Sequence, residues 1–208
     1  MVNEQDALRQ TYDRIADDWH RDHQDDTWWI DGTDTFISFL KPGDLVLDVG
    51  CGGGTKAKYL IDRGLEVTGI DFAENLIAIA KREVPTGTFI VMDAYDLDAL
   101  PGTFDGVLAQ AFLLHVPKRD VSAVLGKLTD KVRPGGYLYM AVKEVKPGQP
   151  EEEERIENDY GYEYRRFFSY FTLPELEGLI RQTGLETAYS EITPSGNSRW
   201  IHLIGQRA

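Results

Sequence analysis

Leu45-Val46-Leu47-Asp48-Val49-Gly50-Cys51-Gly52-Gly53-Gly54-Thr55 decides the fold of this chain. Its first five residues form a compact apolar run of the kind expected in a strand buried on both faces, and Lys41-Pro42-Gly43-Asp44 punctuates the chain just before it. The glycines that follow let the backbone pass close to a ligand where any Cβ would clash. The run then opens a helix, whose first N–H groups have no partner inside it. A strand, a glycine loop and a helix start in this order predict a nucleotide-type pocket. The dinucleotide fingerprint G-x-G-x-x-G fails, because Thr55 stands where its third glycine belongs, and no Gly-Lys-Ser/Thr follows to make a phosphate loop. What remains is an acid two residues before alternating glycines: Asp48-x-Gly50-x-Gly52-x-Gly54.

Outward from this stretch the rhythm is regular. Residues 55 to 63 read as a helix, 65 to 70 as a strand, 73 to 83 as a helix, and 87 to 92 and 104 to 109 as strands. Helix 118 to 131 and strand 136 to 143 complete the series. Strands alternating with helices predict an α/β, doubly wound, mostly parallel sheet. Thr172 with Glu175 three residues later marks a helix start. Strands 185 to 193 and 198 to 206, joined by Pro194-Ser195-Gly196-Asn197, read as a hairpin that reverses the last of seven strands. Before the core, Leu8, Tyr12, Ile15, Ala16 and Trp19 recur at the spacing of an amphipathic helix, and a second helix is expected around Trp28 to Leu40. The expected organisation is one domain over 1–208: a helical leader to 40, a ligand-binding core over 41–143, an acidic and aromatic insertion over 144–171, and a helix with a hairpin over 172–208.

The chain has 208 residues and a formal charge of −13, the wrong sign for gripping phosphate backbones over a broad surface, so nucleic acid is not the expected partner. Residues 1 to 35 hold ten acids and three bases, and residues 151 to 159 hold six acids and one base, so these two segments carry −12 of the total. They are read either as solvated faces or as an attraction for a cationic acceptor. The acidic start and the absence of any long uncharged apolar run predict neither a signal peptide nor a membrane span. Cys51 is the single cysteine, which excludes an internal disulfide and fits a reducing compartment, hence an expected cytoplasmic location.

Asp71 ends the second strand, 21 residues after Gly50, where a carboxylate can accept hydrogen bonds from both ribose hydroxyls of an adenosine group. Asp93 ends the third strand, so three successive strands finish in or near Asp along the edge where doubly wound folds bind ligands. Over roughly residues 44 to 140 the ordered set resembles the class I S-adenosylmethionine-dependent methyltransferases. Asp48 to Gly54 is similar to the family's first motif, Asp71 to its ribose-binding acid and Asp93-Ala94 to its adenine site. Phe104 to Gln110 resembles the fourth motif, and Val132 to Gly136 the turn before the fifth strand.

The resemblance implies S-adenosylmethionine as methyl donor, released as S-adenosylhomocysteine. It places Gly50 and Gly52 at the methionine portion and counts Asp48, Cys51 and Gln110 among the cofactor-binding residues. Phe72 and Leu76 would flank adenine, or serve simply as core, and Tyr12 and Trp19 would be lid residues of the leader helix. His115, just past the fourth strand, is read either as a base or as a residue that orders its loop. Tyr164, Arg165 and Arg166 are read either as a wall and anion clamp for the acceptor or as a covering strand with solvated arginines. Two other spacings are set aside. Tyr139-x-x-x-Lys143 matches a short-chain oxidoreductase pair, but on a strand the two side chains stand about 13 Å apart. His20 and His23 lack a third ligand, so no metal site is predicted. The expected function is methyl transfer to a small-molecule acceptor. A cofactor-binding protein without transfer activity and a protein methyltransferase are the competing readings.

Overall fold

The computed structural model describes residues 4 to 208. Helices α1 (Glu4–His23) and α2 (Ile30–Ser38) precede the alternating core of β1 (Leu45–Val49), α3 (Thr55–Ile61), β2 (Glu66–Asp71), α4 (Glu74–Glu83) and β3 (Thr88–Val91). It continues through β4 (Phe104–Gln110), α5 (Lys118–Lys131) and β5 (Val132–Lys143). The chain then forms β6 (Glu152–Glu157), β7 (Tyr164–Ser169), α6 (Leu173–Gln182), β8 (Leu185–Ser195) and β9 (Ser198–Arg207).

Seven strands form one sheet in the order β3-β2-β1-β4-β5-β9-β8. β1 to β5 pair in parallel, and β9 runs antiparallel to both β5 and β8. The predicted doubly wound α/β sheet with a reversed C-terminal strand is the observed one. Burial explains why the central strands read as continuous apolar runs: every residue of β4 is buried. On one face Leu47, Val49 and Val107 pack with Val124, Leu125 and Leu128 of α5. On the other Val46, Val67 and Leu108 pack with Phe36, Leu60 and Ile77. Gly106 in β4 is needed for this second layer, because a Cβ there would stand 2.5 Å from the Phe36 ring. A third cluster joins Leu8, Tyr12 and Ile15 of α1 to Leu76 and Ile79 of α4, which seats the leader helix over the sheet edge.

Three expectations need correction. The acidic stretch read as an insertion contains an antiparallel hairpin, β6 paired with β7, in which Glu153 opposes Phe168 and Arg155 opposes Arg166. Charge density hid it, because five of the six residues of β6 are charged. β5 begins at Val132 rather than 136, with a register shift opposite Phe104 and Gly106 that lets the strand pass through Pro134-Gly135-Gly136. The last hairpin turns more tightly than predicted: Pro194 and Ser195 still pair with Arg199 and Ser198, leaving a two-residue turn with Gly196 at φ 53°. At α6 the expected cap forms in full. Glu175 N donates to Thr172 Oγ1 at 3.3 Å and Thr172 N donates to Glu175 Oε2 at 3.2 Å.

Candidate active site

The strand order reverses between β1, which continues to β2, and β4, which continues to β5, so the carboxyl ends of β1 and β4 splay a crevice. A cavity of about 580 Å³ lies there, walled by the glycine loop, the ends of β2 to β5, α1 and β7. Gly52 lines it at φ 53° with no atom within 4 Å of where a Cβ would sit, and Gly50 at φ 72° passes the Phe112 ring.

Asp71 organises one half. It is buried, and its Oδ2 accepts from Gly52 N at 3.0 Å while Oδ1 accepts from Ala73 N at 2.9 Å, tying the glycine loop to the start of α4. Burial pushes its carboxyl up to about 6, against the pull of those two N–H groups. A carboxylate has about four acceptor positions, so two remain for a ligand. Asp93 accepts from Tyr95 N at 3.0 Å and from Gln5 Nε2 of α1 at 2.6 Å. Ala94, Phe72 and Leu76 line the same half, and Phe72 and Leu76 also pack against Tyr12 and Ile15, so they are core and wall at once. Cys51 lies in the wall with its thiol pushed up by burial and by Asp48, which keeps it protonated.

Asp48 lies beneath the loop rather than in the wall. It is 2% exposed and its Oδ2 has no hydrogen-bond partner, the cost of which appears as a carboxyl pushed up to about 7 by burial, opposed by Lys56 and aided by Asp71. Between about pH 4 and pH 7 the folded protein holds a proton here that the unfolded chain has already lost, so stability falls as pH rises through this window. Asp48→Asn is therefore expected to flatten the decline of Tm between pH 4 and pH 8, read by scanning calorimetry. An unchanged slope would contradict this assignment.

The other half is built from Tyr12, Trp19, His115, Lys143, Arg166, Phe168 and Trp200. His115 Nδ1 lies 2.7 Å from the Phe167 carbonyl, which can only accept, so Nδ1 carries the proton and Nε2 accepts from the Tyr12 hydroxyl at 2.7 Å. Burial, Arg166 and Lys143 push His115 down to about 3, so the ring is neutral. Arg166 donates to Tyr12 at 3.4 Å, lies 4.7 Å from the Trp19 ring centroid and forms a bidentate pair with Glu157 at 2.6 and 2.7 Å. Gln110, buried at the junction of the halves, donates to Tyr139 Oη at 2.8 Å, and that hydroxyl meets His202 Nδ1 at 2.7 Å.

Two predicted acceptor residues stand outside this cavity. Period-two alternation along β7 sends Arg165 outward, where it meets Glu154 at 3.2 Å and Glu163 at 3.5 Å, and Arg166 inward. Tyr164 shares the inward face, but packs against α1 and hydrogen-bonds Asp159 at 3.0 Å. Lys143, Trp28 and Trp200 were not singled out as wall residues. The signal available was the position of Lys143 at the carboxyl end of a central strand.

Residues 46–136 match the family model described as "Methyltransferase domain". A ubiquinone biosynthesis O-methyltransferase of Dechloromonas aromatica (strain RCB) is 36% identical over 123 residues, covering 57% of this chain and 51% of that protein. The chain thus spans about half the length of the curated relatives it matches. The crystal structure of an S-adenosylmethionine-dependent methyltransferase from Methanosarcina mazei aligns with a TM-score of 0.72 at 26% identity, covering 83% of this chain and 96% of the other. The 1,6-didemethyltoxoflavin-N1-methyltransferase of Burkholderia thailandensis shares the fold with a TM-score of 0.77 at 20% identity, covering 100% of this chain and 92% of that one. The glycine loop, the acid at the end of β2, the reversed strand and these likenesses agree: residues 46–136 match the methyltransferase-domain model, and the chain shares its fold with solved S-adenosylmethionine-dependent methyltransferases.

Proposed function

We propose that this chain transfers a methyl group from S-adenosylmethionine to a small-molecule acceptor by in-line displacement. The observation that carries it is a single cavity with two chemically distinct halves, one lined by Asp71 and Asp93 and the other by His115, Lys143 and Arg166. The first half fits the donor. Asp71 keeps acceptor positions for two ribose hydroxyls, Phe72 and Leu76 offer apolar faces to a base, and the open wall at Gly52 leaves room for the methionine portion. When bound, S-adenosylmethionine supplies a methyl group already activated on a sulfonium. The protein then has chiefly to align the acceptor, an effect worth an effective molarity of about 10⁵ to 10⁸ M.

Tyr12 and Trp19 of α1 close the cavity, and the leader helix acts as its lid. The cavity is roofed by α1 and β7, which supports a small acceptor over a polypeptide segment. His115 is a positioning residue in this reading: neutral and held by the Phe167 carbonyl, it fixes the Tyr12 hydroxyl at the acceptor end. The negative charge of the chain supports a partner other than nucleic acid, and the single cysteine supports a cytoplasmic location. No described helix is long and apolar enough to cross a membrane.

The test is release of S-adenosylhomocysteine from S-adenosylmethionine in the presence of fractionated small-molecule pools. Acceptor-dependent release that falls at least about tenfold in Tyr12→Phe is expected, in keeping with the loss of a hydrogen bond to a charged or reacting group. Binding of S-adenosylmethionine without release by any pool would favour the reading of a binding protein without transfer.

A further inference from the structure

We propose that the acceptor carries an anionic oxygen on an apolar body, and that the Lys143 ammonium binds this oxygen and so selects acidic acceptors over their neutral isosteres. The proposal rests on the small-molecule methyltransferase reading and names the substrate class of the same site.

Lys143 is the last residue of β5 and pairs in register with Trp200 of β9, which places it at the sheet edge that forms the cavity. Its Nζ lies 4.8 Å from the Phe168 ring centroid and 5.7 Å from that of Trp200, and Trp28 stacks on Trp200 at 3.8 Å. Among the described residues this ammonium makes no ion pair and no hydrogen bond. A partly buried charge ordinarily has a partner, so the chamber is electrically incomplete.

The two arginines on the Phe168 ring do not share that condition. Arg166 is held by both oxygens of Glu157, and Arg155 meets Glu153 at 2.7 Å. Each arginine is thereby fixed on a carboxylate of β6, whereas Lys143 faces the cavity beside the Phe168 and Trp200 rings with no carboxylate of the described residues in contact. Burial pushes Lys143 down to about 8, with Arg166, Arg155 and Lys146 adding to the fall and Glu157 opposing it, while His115 across the chamber is neutral. An anionic oxygen is the group that would complete this arrangement, and the Phe168 and Trp200 rings give its carrier an apolar wall. The acids of β6 do not make the chamber suited to a cation, because Glu153, Glu154 and Glu157 are engaged by Arg155, Arg165 and Arg166.

The full chain, loaded with S-adenosylhomocysteine, is titrated calorimetrically with 2-naphthoate and with 2-naphthamide, which match in shape and differ in charge. At pH 7.5 the acid is expected to bind at least about tenfold more tightly, the value of one charge-assisted hydrogen bond. That preference is expected to fall below about threefold in Lys143→Met and to return in part in Lys143→Arg, with S-adenosylhomocysteine affinity unchanged in both variants. At pH 8.5 the bound anion returns Lys143 to its charged form, so 2-naphthoate binding takes up protons, visible as a heat that depends on the buffer's ionisation enthalpy and absent in Lys143→Met. Equal affinity for the two probes, including no detectable binding of either, or a preference that survives Lys143→Met, would overturn the proposal. Failure of S-adenosylhomocysteine itself to bind would instead overturn the methyltransferase reading on which it rests.

Discussion

Asp71→Ala is expected to weaken S-adenosylhomocysteine binding by about 100-fold or more. Two ribose hydroxyls donating to a carboxylate contribute about 1.5 kcal/mol each at the low end, or about 3 kcal/mol together. The substitution also frees Gly52 N and Ala73 N, so the loop and the start of α4 lose their common anchor. His115→Ala, at the acceptor half, is expected to change the same affinity by less than about tenfold. Calorimetric titration of both variants decides, and the reverse order of effects would contradict the placement of the adenosine. Because burial raises the Asp71 carboxyl to about 6 and the hydroxyl donors favour its charged form, affinity in the parent protein should also fall as pH drops below about 6.

The second large effect is on stability. Phe36 of α2 is fully buried against Tyr139, with ring centroids 5.6 Å apart, and occupies the space that Gly106 leaves open in the central strand β4. Phe36→Ala should cost about 3 to 5 kcal/mol, the range for removing a core aromatic ring. Gly106→Ala should be destabilising for the opposite reason, since its Cβ would stand 2.5 Å from Phe36 Cζ and 3.2 Å from Leu40 Cδ1. The double variant should lose clearly less than the sum, because the new methyl enters the cavity left by the ring. Urea unfolding of the four proteins measures the coupling, and additivity within about 0.5 kcal/mol would show that the two sites do not share that space.

What was legible in the sequence follows from what is local. The apolar run Leu45 to Val49, the glycines after it and the acids at 71 and 93 each lie within one strand-to-helix junction, so spacing alone locates them on the carboxyl edge. The capping box of Thr172 and Glu175 was legible for the same reason. The acceptor half was legible only in part: Tyr12, His115 and Arg166 were singled out separately, but with Lys143 and Trp200 they are distant in the chain and are brought together by strand order. Lys143 was encountered only as the distal member of a Tyr139 spacing, and the reasoning that set that pair aside, two residues along a strand, is the geometry observed. Tyr139 turns into the buried network with Gln110 and His202 while Lys143 ends the strand at the cavity. A covering strand through Arg165 and Arg166 was one of the readings, but which arginine faces inward could not be told without its pairing, and its partner β6 was masked by its own charges.

The most direct test of the account is calorimetric titration of the purified chain with S-adenosylmethionine and S-adenosylhomocysteine, with NAD as the control. Micromolar binding of both adenosyl ligands and none of NAD is the predicted result. Absence of binding to either adenosyl ligand would contradict the account, because Asp71 and the loop at Gly50 to Gly54 would then be a structural junction rather than a cofactor site.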